Sequence, residues 1–271
     1  MIGAIPGKIM LTKSVKPSVL VVVLVVFLGG CVHEPIEGRL TPEQSAARAE
    51  KSARIHTELA AEYYYRGQYK VALEEIDAAL ESKQNYAPAL SVLGLVYMAL
   101  GEDSKAQSNF NQALKIEPGN SELNNNYGWF LCERFSDQMD KAISHFMTAL
   151  KDPLYETRHI AYANAGICEL KRNNFSVASR YFDESLSLQP NYRPALVGLI
   201  EMDFKAGKIV AAQSKLSEFM QKYQPTARSL WLGVQIERVV GNTRAANSYL
   251  FQLQKNFPNS SETRAVRESG L

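Results

Sequence analysis

Cysteine is scarce in this chain, with three residues among 271, and charge of either sign is nearly balanced, with 30 basic and 28 acidic side chains. The first 30 residues hold three of the lysines and no acid, so the rest carries 27 basic and 28 acidic groups. A body with a net charge of −1 has no global attraction for nucleic acid or an anionic membrane. The composition therefore argues against both classes of partner.

Catalytic and metal-binding motifs are also missing from the sequence. The four histidines, His33, His56, His145 and His159, show no metal-ligand spacing such as HExxH. There is no GxSxG elbow, phosphate-binding loop or dinucleotide fingerprint. These absences predict a protein that is not an enzyme and that has no metal site, cofactor or small-molecule substrate.

Long hydrophobic runs are absent as well, except for ten apolar residues at 19–28. This run is short for a transmembrane helix, which needs about 20 residues. Three lysines precede it, and Gly29, Gly30 and Cys31 follow it. A charged region, a short apolar core and small residues form the order of an export signal. The sequence favours a signal peptide over residues 1–30, with a shortened or tilted membrane anchor as the alternative.

The four residues 28–31, Leu-Gly-Gly-Cys, resemble the lipobox of bacterial lipoproteins. That resemblance implies that Cys31 becomes the first residue of the mature chain and carries the lipid. Val32, in place of Asp, implies sorting to the outer membrane, with the protein on its periplasmic face. Residues 31–41 contain Pro35 and Gly38 and no helical pattern, so we predict a lipidated tether there.

The rest of the chain repeats itself. One alanine position recurs at spacings of 34, 36, 36, 34 and 34 residues. The alanines are Ala72, Ala106, Ala142, Ala178, Ala212 and Ala246. Four residues after each stands a large apolar residue, in turn Ile76, Phe110, Phe146, Phe182, Leu216 and Leu250. A 34-residue period with this pattern is typical of the tetratricopeptide repeat (TPR), which has two helices per repeat.

The pattern predicts an all-α, right-handed superhelical solenoid of about six TPR helix-turn-helix repeats over residues 42–258. The repeats span approximately 53–86, 87–120, 121–156, 157–192, 193–225 and 226–258. A further helix is predicted from Thr41-Pro42, where a capping residue precedes a proline, and it runs into the first repeat. Residues 259–271 form either a short capping helix or a frayed tail.

Cys132 and Cys168 fall on the first helices of repeats three and four. Because neighbouring first helices lie side by side in a TPR solenoid, the two thiols are candidates for a disulfide in an oxidising compartment. Two buried free thiols that pack as small hydrophobic groups are the alternative.

First helices also line the concave face of TPR proteins, so their side chains are candidates for binding a partner. Asn126 and Asn164 hold the same place in their repeats and offer both a donor and an acceptor. Bonding between neighbouring helices is the alternative role. The other candidates are Tyr64, Tyr65, Met98 and Trp129, for which core packing is the alternative.

Residues 123–132, Leu-Asn-Asn-Asn-Tyr-Gly-Trp-Phe-Leu-Cys, and residues 164–168, Asn-Ala-Gly-Ile-Cys, resemble the type IV pilus biogenesis lipoproteins called PilF or PilW. The lipobox and the six repeats fit that family too. The resemblance implies a pilotin: an outer-membrane lipoprotein that binds the secretin subunit PilQ and promotes its localisation and multimerisation. A TPR adaptor for outer-membrane barrel assembly or for peptidoglycan enzymes is the alternative in the same location. An enzyme that uses the repeats as a substrate platform is the alternative from another class.

Overall fold

The computed structural model describes residues 40–268, which contain thirteen α-helices and no β-strand. The helices are α1 (Pro42–Tyr65), α2 (Tyr69–Ser82), α3 (Ala87–Ala99), α4 (Asp103–Ile116), α5 (Ser121–Arg134), α6 (Met139–Ala149), α7 (Arg158–Lys171), α8 (Phe175–Leu188), α9 (Arg193–Lys205), α10 (Ile209–Lys222), α11 (Ala227–Val239), α12 (Thr243–Asn256) and α13 (Ser261–Glu268). Among these helices, none has both the length and the hydrophobicity needed to cross a membrane.

The helices form two layers. Each odd-numbered helix from α1 to α11 packs against the next odd-numbered helix, and the series ends with α13. Each even-numbered helix packs between the helix before it and the helix after it. The odd-numbered helices are therefore an inner layer of contiguous first helices, and the even-numbered helices cover one side of it. The predicted all-α TPR solenoid is confirmed.

The two ends of the solenoid are closed by helical extensions. Helix α1 runs for 24 residues without a break, but none of its buried residues, Ala53, Thr57 and Ala60, lies before position 53. The first half is the predicted extra helix, continuous with repeat one. At the other end α13 packs on α11 and α12 and buries Thr263 and Val266. Residues 261–268 are thus a capping helix.

The turn inside most repeats depends on one residue with a left-handed backbone. In repeat two this residue is Gly101, with φ of 79°, and glycines hold the same place in repeats one, five and six. Repeat four has Asn173 there, with φ of 61°. Asparagine tolerates this conformation better than most residues with a Cβ. Repeat three replaces the turn with a short 3-10 helix, Ser136–Gln138.

Within each repeat the periodic alanine and the large residue after it face the first helix. All six alanines are at most 1% exposed. In repeats two to four a glycine of the first helix lies against the phenylalanine of the second. The pairs are Gly94 with Phe110, Gly128 with Phe146, and Gly166 with Phe182. A Cβ added at any of these glycines would lie less than 3 Å from a ring carbon, so the close approach of the helices requires glycine.

Candidate partner-binding surface

The predicted lipid attachment at Cys31 and nearly all of the tether lie outside the described residues. The other candidates all lie on α1, α3, α5 and α7, which are consecutive helices of the inner layer. Within residues 40–268, no group of three His, Cys, Asp or Glu side chains is placed to hold a metal ion. The surface is therefore described by its shape, its polar contacts and its charge.

Cys132 and Cys168 form a disulfide in the structure and join α5 to α7. Their Cα atoms are 5.8 Å apart, which lies within the usual range for a disulfide. Both residues are almost completely buried. The bond therefore links repeats three and four beneath the surface of the inner layer.

The asparagines form a chain of hydrogen bonds across three helices. Asn164 of α7 donates from Nδ2 to Oδ1 of Asn125 on α5, at 3.0 Å. Asn125 donates in turn to Oδ1 of Asn126, at 3.5 Å, and Asn126 donates to the hydroxyl of Ser91 on α3, at 3.2 Å. In the structure Asn126 and Asn164 thus link neighbouring helices, and their role in binding a partner stays a prediction.

Three of the candidates lie at the ends of α1 and α3, with very different exposure. Tyr65 is 76% exposed, and its ring meets the ring of Tyr64 edge-on, with centroids 5.4 Å apart. Burial, reinforced by the neighbouring Tyr65 and Tyr69 hydroxyls, raises the pKa of Tyr64 to about 12. Met98 is only 8% exposed and packs in the same core cluster as Phe110. Met98 is therefore a core residue, whereas Tyr65 is available on the surface.

A small pocket of about 240 Å³ opens between α1, α3 and α5. Its lining includes Asn126 and Ser91 from the chain of hydrogen bonds, together with Arg54, Glu58 and Glu122. Arg54 is paired with Glu58 at 2.9 Å, which leaves the carboxylate of Glu122 as the surplus charge. We call this space the N-terminal pocket.

A larger groove of about 790 Å³ runs over α5, α7, α9, α11 and α13. We call it the C-terminal groove, and its lining comprises Trp129, Glu133, Ile167, Leu170, Lys171, Arg193, Pro194, Val197, Gly198, Glu201, Lys205, Thr226, Arg228, Ser261 and Glu262. Trp129 is half-buried, and the ammonium of Lys171 lies 5.9 Å from its ring. Of the residues predicted from sequence, only Trp129 contributes to this groove.

The rest of the C-terminal groove was missed at the sequence level, although a signal for part of it exists. Trp129 directly follows Gly128, the small residue of its first helix. Ile167 and Glu201 occupy the same place in repeats four and five, and both line the groove. The position after the small residue of the first helix is therefore a sequence signal for Ile167 and Glu201.

The comparisons with known proteins agree with the repeats and extend beyond them. Residues 87–120 match the tetratricopeptide-repeat family. Over 245 residues the chain is 29% identical to the type IV pilus assembly protein PilF of Pseudomonas aeruginosa. This alignment covers 90% of this chain and 95% of that protein. PilW, described as a widely conserved type IV pilus biogenesis factor, has a crystal structure that superposes on this chain with a TM-score of 0.64. The two sequences are 38% identical. That match covers 79% of this chain and 97% of PilW.

The chain belongs to the PilF/PilW family of TPR proteins. A solved structure of Pseudomonas aeruginosa PilF is 27% identical with a TM-score of 0.60, and the match covers 82% of this chain and 99% of that one. A TPR protein from Parabacteroides merdae has a TM-score of 0.65 at 21% identity, which shows the shared fold alone. Membership of the PilF/PilW family thus rests on a match along almost the whole length of its solved members.

Proposed function

We propose that this chain acts in type IV pilus biogenesis as a pilotin. In this role it is an outer-membrane lipoprotein that binds the secretin subunit PilQ and promotes its localisation and multimerisation in that membrane. The observation that carries the proposal is the 38% identity to the pilus biogenesis factor PilW over 97% of its solved chain. The lipobox at Cys31 supports the membrane anchor independently.

In this proposal the inner layer of helices and the lipid on Cys31 have separate roles. The inner layer of first helices binds the partner, because a solenoid offers an extended surface on which several repeats contact one segment. The lipid on Cys31 holds the complex at the periplasmic face of the outer membrane. Several acyl chains are needed for stable anchoring, since a single chain binds a membrane only marginally. The protein performs no chemistry and needs no cofactor apart from this covalent lipid.

A deletion strain tests the role, and two variants test the mechanism. We expect deletion to abolish twitching and to remove secretin multimers from the outer membrane. In Cys31→Ala the protein is not lipidated, so we expect secretin multimers to be lost or to lie in the wrong membrane. Val32→Asp is the sharper variant, because it keeps the lipid and changes the sorting signal. We expect it to move both proteins together to the inner membrane.

The readout is the distribution of heat-resistant secretin multimers between separated inner and outer membranes, with both proteins detected by blotting. Normal outer-membrane multimers in Cys31→Ala would contradict the pilotin mechanism. Intact pili and normal twitching in the deletion strain, together with defects in the cell envelope, would instead favour an adaptor for barrel assembly or for peptidoglycan enzymes.

A further inference from the structure

The C-terminal groove has a surplus of positive charge. Its lining holds four cationic side chains, from Lys171, Arg193, Lys205 and Arg228, and three carboxylates. The N-terminal pocket has the opposite surplus, since Arg54 is paired with Glu58 and Glu122 remains. The two cavities on the inner layer therefore differ in the charge of the segment that each can accept.

The carboxylates of the C-terminal groove are already engaged by neighbours. Glu201 is only 8% exposed, and it accepts both Nε and Nη2 of Arg228, at 3.0 Å and 2.5 Å. The ammonium of Lys205 lies 3.3 Å from the same carboxylate. Two cations thus share one carboxylate, so this cluster keeps a net positive charge.

The remaining charges do not neutralise this surplus. Lys171 is paired with Glu133 on α5, the preceding helix of the inner layer. Glu262 lies in the first turn of α13 and accepts a hydrogen bond from Ser261, at 3.0 Å. Arg193 is exposed and has no ion pair within residues 40–268. Arg193 and Lys205 begin and end α9, so the surplus of positive charge lies along one helix in the middle of the groove.

Apolar side chains lie between these charges. Trp129, Ile167 and Val197 come from three successive helices of the inner layer. Gly198 also lines the groove, and a Cβ added there would lie 2.4 Å from the ring of Phe182 beneath it. The backbone of α9 therefore forms part of the lining. A bound segment can place apolar side chains against this surface while its polar groups reach the charged rim.

We propose that the C-terminal groove binds a segment of a partner protein in which apolar side chains are flanked by aspartate or glutamate. Its apolar side chains lie on Trp129, Ile167 and Val197, and its carboxylates face Arg193 and Lys205. The partner's identity rests on the proposed function, under which this segment belongs to the secretin. The preference for negative charge rests on the groove itself, because a surplus of cations favours acidic segments and repels basic ones.

Two synthetic peptides test the charge preference directly with the full-length lipoprotein in detergent. Both are fluorescently labelled twelve-residue peptides that alternate leucine with a charged residue, glutamate in one and lysine in the other. We expect the glutamate peptide to bind in a fluorescence anisotropy titration, and we expect its affinity to fall as the salt concentration is raised. Binding of the lysine peptide with equal or higher affinity, or no binding of either peptide, would overturn the proposal.

Charge reversal locates the site. The double variant Arg193→Glu with Lys205→Glu should weaken binding of the glutamate peptide by about tenfold or more and strengthen binding of the lysine peptide. The single variant Arg193→Glu breaks no ion pair, so it tests the same point if the double variant unfolds. The matched control is Lys115→Glu with Lys151→Glu, two exposed residues outside the inner layer. It makes the same change in net charge and should leave binding unchanged.

The same variants, titrated with purified secretin, separate this inference from the proposed function. If the secretin fails to bind the wild-type protein, the pilotin function fails, while the peptides still report the preference of the groove. If the secretin binds the wild type and the charge-reversal variants equally, the pilotin function stands and the C-terminal groove is not the site. We expect reversal at Arg193 to weaken secretin binding and the control pair to have no effect.

Discussion

The contact between the two helices of a repeat is made by different residues in repeats two to four and in repeats five and six. In repeats two to four a glycine faces a phenylalanine, as with Gly166 and Phe182. In repeat five the equivalent residues are Ile200 and Leu216, which are both 1% exposed and belong to the same core cluster. Leucine is only slightly smaller than phenylalanine, whereas isoleucine is much larger than glycine, so the contact in repeat five holds more side-chain volume than the contact in repeat four. The same pair of positions therefore accepts different combinations of apolar residues.

The two regions also differ in how their repeats are connected. The rings of Phe110 and Phe130 lie 5.2 Å apart and belong to one core cluster that extends across repeats two to four. The disulfide between Cys132 and Cys168 adds a covalent link inside that region. The buried residues of the core clusters in repeats five and six are mostly aliphatic, and Leu250, at the last large position, is only partly buried. We therefore expect the central repeats to be more sensitive to substitution.

The largest effect is expected from Phe182→Ala. This ring is completely buried and lies between Gly166 and Gly198, neither of which can fill the space that it leaves. We expect the free energy of unfolding to fall by about 4 kcal/mol, measured by urea denaturation followed by circular dichroism. The matched substitution Leu250→Ala should cost only about 1–2 kcal/mol, because Leu250 is only partly buried. Equal losses in the two variants would remove the proposed difference between the regions.

Loss of the disulfide is expected to have the next largest effect. The bond closes a loop with a sequence separation of 36, for which the chain-entropy treatment gives a stabilisation of about 3–4 kcal/mol. The double variant Cys132→Ala with Cys168→Ala should lose about this much, and a reductant should lower the stability of the wild type but not of the variant. Hydrogen exchange should report the loss in repeats three and four before repeats five and six. A wild type that is insensitive to reductant would contradict this expectation.

The repeat architecture could be predicted from sequence because it depends on local rules. The 34-residue period identified the alanine and large positions, because every repeat has the same two-helix structure. The extra helix at α1 followed from a capping residue before Pro42. In each case the residues that carry the sequence signal are themselves part of the predicted element or lie directly beside it.

The surface could be predicted only in part, because its properties depend on contacts between distant residues. Arg228 and Glu201 are 27 positions apart, and only the structure shows that they pair and leave Arg193 free. The amide of Asn164 could bond a peptide or a neighbouring helix with equal chemical ease, and only the structure shows its hydrogen bond to Asn125 on α5. The sequence likewise gave no sign that Gly198, which lines the groove, packs on Phe182.

A smaller effect is expected from Gly166→Ala. The new methyl group would lie 2.6 Å from the ring of Phe182, so the ring or the helices must move. We expect a loss of about 1–3 kcal/mol in the free energy of unfolding, which is typical of overpacking. Because leucine is smaller than phenylalanine, Phe182→Leu should partly relieve the strain. The double variant Gly166→Ala with Phe182→Leu should then be more stable than the sum of the single losses predicts. Strict additivity would show that glycine and phenylalanine are not coupled.

The smallest effect is expected from the titration of His145 in repeat three. Its Nδ1 lies 2.8 Å from Oδ1 of Asn124, whose amide nitrogen already donates to two backbone carbonyls. The oxygen of Asn124 must therefore be the acceptor, so Nδ1 of His145 carries the hydrogen. Burial, reinforced by the nearby ammonium of Lys141, lowers the pKa of His145 below its ordinary value of 6.5. The neutral ring is the form that the folded protein favours.

Because the pKa is lower in the folded state, the unfolded chain binds more protons below pH 6.5. The stability that His145 contributes is therefore present above pH 6.5 and is lost as the pH falls toward its lowered folded pKa. We expect hydrogen exchange at pH 7 and at pH 5.5 to show a small loss of protection in repeat three, and His145→Gln to reduce that loss. Repeats five and six contain no histidine and serve as the internal reference. An unchanged pH dependence in His145→Gln would assign the acid sensitivity to other groups, such as His159, whose pKa burial also lowers.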